Sequence, residues 1–474
     1  MNTPAVSRLT VVRTVALLSI VWLLVPSGVA ALTYDPATDP SLESGRITDA
    51  ANGLTVISTQ GYTFRGTTNP KKPARLVSVG PRGELGWTHD DRVGGNGWFF
   101  EVDPMPNGHL LVSSPRGGDT VVFEFDPDAR ERVWQERFDM TDTHGVAYLG
   151  DDRIAIANMR AWNDSADASG DRVVVYDRST DEITWEWTFR DHYPESTDGG
   201  FDDDWTHVND VEPVGDDRLL LSPRNFDQAI VVDMESKQIV ERLGSDDDYD
   251  VMREQHSPDW LLSENGTPTV VVADSGNNRV VEYAKEDGEW VETWAVGSET
   301  LNWPRDADRL PNGNTLITDT LNHRVLEVTP TGEVVWEYYA TWGPYDAERA
   351  VHGDDSTGPT IRDMNASGSY AITGSANLTA GDGLGSRPSD KLRELGAGTP
   401  LETPTDELAT RWAHVSPWLQ PVWMSDWGLV RVVVAGLLAV VWLGGELVGR
   451  RRWIRERLRR WSRTETASVT HSDD

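Results

Sequence analysis

Three histidines in this 474-residue chain share one setting. Each introduces a short apolar hairpin, in Thr143-His144-Gly145, Thr206-His207-Val208-Asn209 and Gln255-His256-Ser257. An imidazole serves as nucleophile or proton carrier near neutrality because its unperturbed pKa is about 6.5. Asn209 stands two residues after His207, so on an extended chain both side chains leave the same face. Ser222-Pro223-Arg224-Asn225 ends the hairpin that His207 opens. The fork of Arg224 suits a tetrahedral oxyanion. His, Asn and Arg together are what transfer of an anionic group requires. Arg305, in Trp303-Pro304-Arg305-Asp306, holds nearly the corresponding place further along. It reads as a salt-bridge partner of Asp306 in preference to a second anion-binding side chain. His89, His109, His192, His323, His352, His414 and His471 have no repeated context and read as surface or packing residues.

Histidines so far apart need elements that converge in space. Polar turns at Met105–Gly108, Gly150–Asp152, Gly215–Asp217, Ser263–Gly266, Pro311–Gly313 and Ala366–Gly368 each adjoin an apolar run, such as Leu110-Leu111-Val112 or Val270-Val271-Val272. Gly, Asn and Asp supply the positive φ of a tight hairpin, and the apolar runs suit strands buried on both faces. A second hairpin series starts near Arg75, Thr120, Arg172, Ala229, Arg279 and Arg324, and most members run to Trp87, Trp134, Trp185, Trp294 or Trp336. Units of about 45 to 60 residues fit four-stranded propeller blades. The expected fold is all-β, a six-bladed β-propeller over residues 50–375, in which equivalent hairpin starts meet at one channel mouth. Two closures of the ring stay open: pairing of the 361–374 hairpin with the first outer hairpin (75–88), or supply of the missing inner strands by Leu54–Ile57.

His207-Val208-Asn209, then Ser222-Pro223-Arg224-Asn225, then Gln255-His256 resemble the arylsulfotransferases of the aryl-sulfate-dependent type, over roughly residues 50–375. The resemblance implies a six-bladed propeller that moves sulfuryl groups from a phenolic sulfate ester to a phenol acceptor through a sulfohistidine. It implies His256 as nucleophile, with His144, His207, Asn209 and Arg224 binding sulfuryl oxygens and handling protons. It implies small-molecule aryl sulfate and phenol partners and no cofactor. The chain has no Gly-x-x-x-x-Gly-Lys motif, which argues against a nucleotide-sulfate donor. The alternative reading is a non-enzymatic binding propeller on the cell surface, because Asp274–Val280 and Asp319–Val325 resemble NHL-type repeats. There, Asp and Arg are expected to fix a turn. A quinone-dependent dehydrogenase is a weaker option, lacking its Trp-docking repeat and metal site.

The chain has no Cys, 43 Lys plus Arg of which five are Lys, and a net charge of −34. Acid spread along the chain reads as a halophilic surface, and the absence of a basic stripe outside the C-terminal tail disfavours nucleic acid. Asp202–Asp204 and Asp246–Asp248 are Ca2+ candidates or, preferably, solvated surface. Residues 1–31 read as a signal peptide or an N-terminal membrane anchor. Residues 428–447 read as a transmembrane helix, followed by a basic tail (448–474) carrying Arg450, Arg451, Arg452, Arg455, Arg457, Arg459 and Arg460. That excess of cations places the C-terminus in the cytoplasm and the propeller outside the cell. Residues 376–425 are expected to be a flexible tether and interfacial segment, with Trp412, Trp418, Trp423 and Trp427 in an aromatic belt. Sequons at Asn163, Asn265, Asn365 and Asn377 agree with an outside location. Oligomeric state is open.

Overall fold

The computed structural model describes residues 8–33, 51–63, 70–72, 74–90, 98–298, 300–340, 343–374, 387–421 and 423–468. Two units are present: Leu42–Gly385 with Thr410–Leu419, and Met1–Ser41 with Ser386–Ala409 and Gln420–Asp474.

The first unit is a six-bladed propeller. From the axis outward, blade 1 is Pro344–Arg349, Thr55–Thr59, Arg75–Val79 and Leu85–Asp90. Blade 2 is Val102–Pro104, Leu110–Arg116, Asp119–Asp126 and Glu131–Phe138. Blade 3 is Val146–Gly150, Arg153–Asn158, Arg172–Asp177 and Glu182–Thr188, and blade 4 is Val208–Pro213, Arg218–Pro223, Gln228–Asp233 and Ile239–Gly244. Blade 5 is His256–Leu262, Pro268–Asp274, Arg279–Glu286 and Glu289–Val296, and blade 6 is Pro304–Arg309, Thr315–Asp319, Arg324–Val328 and Val334–Tyr338. The six first strands touch one another in a closed ring.

The apolar core lies between blades. Second strands such as Leu219-Leu220-Leu221 are buried on both faces: Leu219 and Leu221 pack toward blade 3, and Leu220 toward blade 5. Outermost strands alternate, since one face meets the next blade and the other meets water; Glu131–Phe138 follows this pattern. The recurrent tryptophans lie within these strands rather than at their ends, and the indoles of Trp185 and Trp294, with that of Trp187, tie neighbouring blades together. Trp185 and Trp187 donate Nε1–H to the carbonyls of Met234 (2.8 Å) and Lys237 (3.0 Å) in the outer turn of blade 4. Trp294 donates to Pro330 in blade 6 at 2.8 Å. Near the axis the backbones approach closely: a Cβ on Gly145 would lie 2.6 Å from the Asp210 Cα. Glycine beside His144 therefore lets blades 3 and 4 meet.

Ring closure follows the second of the two expectations in part. Thr55–Thr59 supplies one of the missing inner strands of blade 1, its second strand, and Pro344–Arg349 pairs with it to supply the axial one. The 361–374 stretch is not an inner hairpin. Its strand Gly368–Tyr370 adds in parallel to the outer edge of blade 5. Acidic residues on alternate positions of Pro344–Arg349 conceal it from a search for apolar runs.

The second unit contains two helices with stretches long and apolar enough to cross a membrane, Val11–Thr33 and Asp426–Val448. Arg13 donates to both carboxylate oxygens of Glu446, at 2.5 and 2.6 Å. Ser27 lies beside Gly428, so the helices run antiparallel. Within the expected tether, residues 375–386 and Asn377 fall outside the described residues, and helices occupy Pro388–Gly396 and Glu402–Leu419. Residues 410–419 belong with the propeller, where Trp418 packs edge-on against His323 at 5.6 Å.

Candidate active site

His144 precedes the first strand of blade 3, His207 precedes that of blade 4, and His256 begins that of blade 5. The ring of blades brings all three to one mouth. The His144 and His207 rings are 5.2 Å apart. Tyr345, from the closing strand of blade 1, lies 5.3 Å from the His144 ring and 6.1 Å from the His256 ring. The chain reaches these places through left-handed backbone at His207 (φ +40°), Ser257 (φ +38°) and Trp303 (φ +57°). Each such non-glycine conformation costs roughly 1–3 kcal/mol and is held only by surrounding structure. It also means that His207 and Asn209 are not joined by extended backbone. Asn209 instead donates Nδ2–H to the Gln255 carbonyl at 2.8 Å, so it braces the residue before His256.

The partners of each imidazole set its protonation. His256 Nδ1 lies 3.1 Å from the Glu254 carbonyl and 2.8 Å from Ser275 Oγ. A carbonyl only accepts, so Nδ1 carries the proton and Nε2 the lone pair. Burial, then Arg305 and Arg224, hold this imidazole well below its ordinary pKa, and the ring is neutral. His207 Nδ1 donates to Asp204 Oδ1 at 2.8 Å. Burial pushes His207 down to about 4, against the opposing pull of Asp204. His144 Nδ1 lies 3.0 Å from the Tyr345 hydroxyl, and its Nε2 is 3.8 Å from Asp142. Arg160 bridges the two acids, 3.4 Å from Asp142 and 3.1 Å from Asp204. Two histidines thus have carboxylates that favour an imidazolium, while the partners of His256 Nδ1 among the described residues are a carbonyl and a hydroxyl.

Arg224 sits in the turn after the second strand of blade 4, where the Asn225 amide oxygen accepts from its Nε (3.1 Å) and Nη2 (2.8 Å). Arg305 corrects a sequence expectation: Asp306 is not its partner. Asp306 Oδ2 accepts from Thr318 and from the Ala347 backbone N–H, both at 3.1 Å. Arg305 Nε and Nη1 are buried without a hydrogen-bond partner, and the guanidinium lies 4.9 Å from the Tyr345 ring centroid. Burial lowers its pKa to about 10, which leaves it charged at neutrality. Phe100, 3.8 Å from His144 ring to ring, and Trp303, 6.3 Å from His256, add aromatic walls. The site therefore combines neutral imidazoles, two guanidinium groups and aromatic surface.

Tyr345, Asp142 and Ser275 were missed in the sequence, and Asp204, read there as a Ca2+ candidate or solvated surface, instead holds His207. Asp142 and Asp204 precede their histidines by two and three residues, a usable signal. Tyr345 carried none, because its strand was not recognised. Asp274 and Asp319 accept from Arg279 and Arg324 at 2.7 Å each. The NHL-like residues therefore fix turns, as expected.

The arylsulfotransferase (ASST) family model matches residues 48–263. This stretch contains His144, His207, Asn209, Arg224 and His256. No curated protein matches the chain. Among solved structures, a Bacteroides caccae protein of unknown function is 11% identical, with 63% of this chain and 98% of that chain covered and a TM-score of 0.42. Kuenenia stuttgartiensis hydrazine synthase is 14% identical, with 57% and 82% covered and a TM-score of 0.37. A catalytically inactive virginiamycin B lyase from Staphylococcus aureus, with quinupristin, is 10% identical, with 63% and 87% covered and a TM-score of 0.38. Likeness at this level carries nothing about chemistry.

Proposed function

We propose that the chain is a membrane-anchored aryl sulfotransferase, working without a nucleotide-sulfate donor, with His256 as the nucleophile. The observation that carries this reading is the different partnering of the imidazoles. His256 has its Nδ1 proton fixed on a carbonyl and no carboxylate to favour protonation. His207 has Asp204, which orients it and stabilises its charged form.

His256 Nε2 attacks the sulfur of an aryl sulfate. An N–S bond forms, the S–O bond to the aryl group breaks, and the phenolate leaves with the electron pair. A phenol has a pKa of about 10, so a proton from an imidazolium assists its departure. His207 is the donor: the anionic substrate raises its proton affinity and Asp204 supports the charge. Arg224 and Arg305 face the nonbridging oxygens, where fixed charges act on the transition state. The acceptor phenol then gives its proton to His207 and attacks sulfur, and the N–S bond breaks. Two steps through a covalent adduct replace one direct transfer. Phe100, Tyr345 and Trp303 offer ring surface to the aryl groups.

The antiparallel helix pair with its Arg13–Glu446 contact supports a retained N-terminal anchor in preference to a cleaved signal peptide. With the arginine-rich tail inside, the propeller lies outside the cell. The test is to give the purified full-length chain an aryl sulfate in high salt and follow phenol release. An added acceptor phenol should accelerate release and appear as its sulfate ester. No turnover across donors and salt concentrations would favour a binding propeller.

A further inference from the structure

Below the histidines, four axial strands carry acids two residues apart: Glu101-Val102-Asp103, Asp210-Val211-Glu212, Asp306-Ala307-Asp308 and Asp346-Ala347-Glu348. The intervening Val102, Val211, Ala307 and Ala347 are buried in the cores between blades. By strand alternation the acids therefore face the axis. After the closing strand, Asp354 and Asp355 join them, and with Asp103 and Glu212 they line a cavity of about 180 Å³. Carboxylate oxygens of Glu101, Glu212 and Asp354 all lie within 4.8 Å of one another. Among the described residues, none of the three has a cationic partner within salt-bridge distance.

Acids alone would not define a site. The second observation is that buried oxygens are left without partners: Glu101 Oε2, Glu212 Oε2 and Asp210 Oδ2 make no hydrogen bond, although these residues are only 4%, 7% and 1% exposed. Asp210 shares the strand face of Glu212. An unpaired buried charge is costly, and several of one sign costlier still. The neighbouring group of Asp306, Asp308 and Glu348 differs, because Arg349 stands within electrostatic reach of its acids.

We infer that Glu101, Glu212 and Asp354 form a binding site for a divalent, oxygen-preferring cation in the propeller channel. Three ligand oxygens within 4.8 Å of one another can surround one ion at the 2.3–2.6 Å bond lengths typical of Ca2+. Carboxylates from blade 2, blade 4 and the segment after the closing strand would thus be joined across the axis. Asp103, Asp210 and Asp355 add negative field, and the cavity gives a path of entry.

The experiment uses the full-length chain in detergent and KCl, dialysed against chelator and freed of it, with CaCl2 and separately MgCl2 as titrants. Calorimetry should find saturable binding of one divalent ion per chain, with a rise in Tm. Glu212→Gln should weaken binding at least tenfold. In chelator the same variant should melt no lower than wild type, because it removes a buried carboxyl that burial and the neighbouring acids already disfavour as an anion. Asp354→Asn should behave likewise, which protects the test if one variant folds poorly. Saturable binding of either ion, lost in the variants, supports the site. No saturable binding, or equal Ca2+ and Mg2+ responses in wild type and both variants, overturns it.

Discussion

At the scale of residues, Arg305 separates two effects. Its buried Nε and Nη1 make no hydrogen bond among the described residues, which leaves them for the anion of the proposed mechanism, and it lowers the proton affinity of His256. Arg305→Gln should slow phenol release by about 10²-fold, the usual effect of losing one preorganised donor. A depressed pKa means that the lone pair of His256 survives to lower pH. In wild type, release should therefore not lose its nucleophile as pH falls from 8 through 6.5. In Arg305→Gln that acid limb should move upward. A wild-type limb with its midpoint near 6.5 would contradict the neutral, shielded imidazole. Asp204→Asn tests the proton carrier. It should reduce kcat by about 10²-fold with a poor phenol leaving group, and by much less with an acidic nitrophenol that leaves without a proton. Equal losses on both donors would mean that Asp204 only shapes the site. The histidines were legible because their placement before inner strands is a sequence property. Arg305 was visible but misassigned, since a neighbouring acid in sequence need not be a neighbour across a strand.

At the scale of elements, hairpin turns, apolar second strands and tryptophan-bearing outer strands were readable because each repeats, although Trp87, Trp134, Trp185 and Trp336 lie within their strands rather than at the ends. The closing strand Pro344–Arg349 was not, because axial strands place acids toward the channel and so lose the apolar signature. The indole ties give a direct test of the blade contacts. Trp187 is 1% exposed and donates to Lys237 in the next blade. Trp187→Ala should cost about 3–5 kcal/mol in chemical denaturation of the full chain. Trp187→Phe keeps most of the packing and loses the hydrogen bond, and should cost nearer 1 kcal/mol beyond any volume effect. Equal costs would mean that the indole N–H, rather than burial, dominates the contact.

At the scale of the whole molecule, a net charge of −34 surrounds a mouth furnished with Arg224 and Arg305. Repulsion among surface acids is screened within about 3 Å at 1 M salt and about 10 Å at 0.1 M. Tm should therefore climb with NaCl through the molar range; a flat or falling curve would contradict the salt-adapted surface. Composition is the ground for expecting this and the C-terminal arginines are the ground for the proposed orientation, but neither pointed to the contact of Arg13 with Glu446. Protease added to intact cells should remove the propeller while sparing tags placed before Met1 and after Asp474. Loss of the N-terminal tag from the mature chain would mean the first helix is cleaved, and loss of the C-terminal tag would reverse the orientation.

The central claim is a covalent intermediate at His256. The most direct measurement supplies the full-length protein with an aryl sulfate and no acceptor, quenches within the first turnover under alkaline conditions, and maps the modified peptide by mass spectrometry. The account predicts one added sulfuryl group, on His256, that disappears when an acceptor phenol is present and does not form in His256→Ala. Normal sulfate transfer by wild type with His256 unmodified throughout the time course would contradict it.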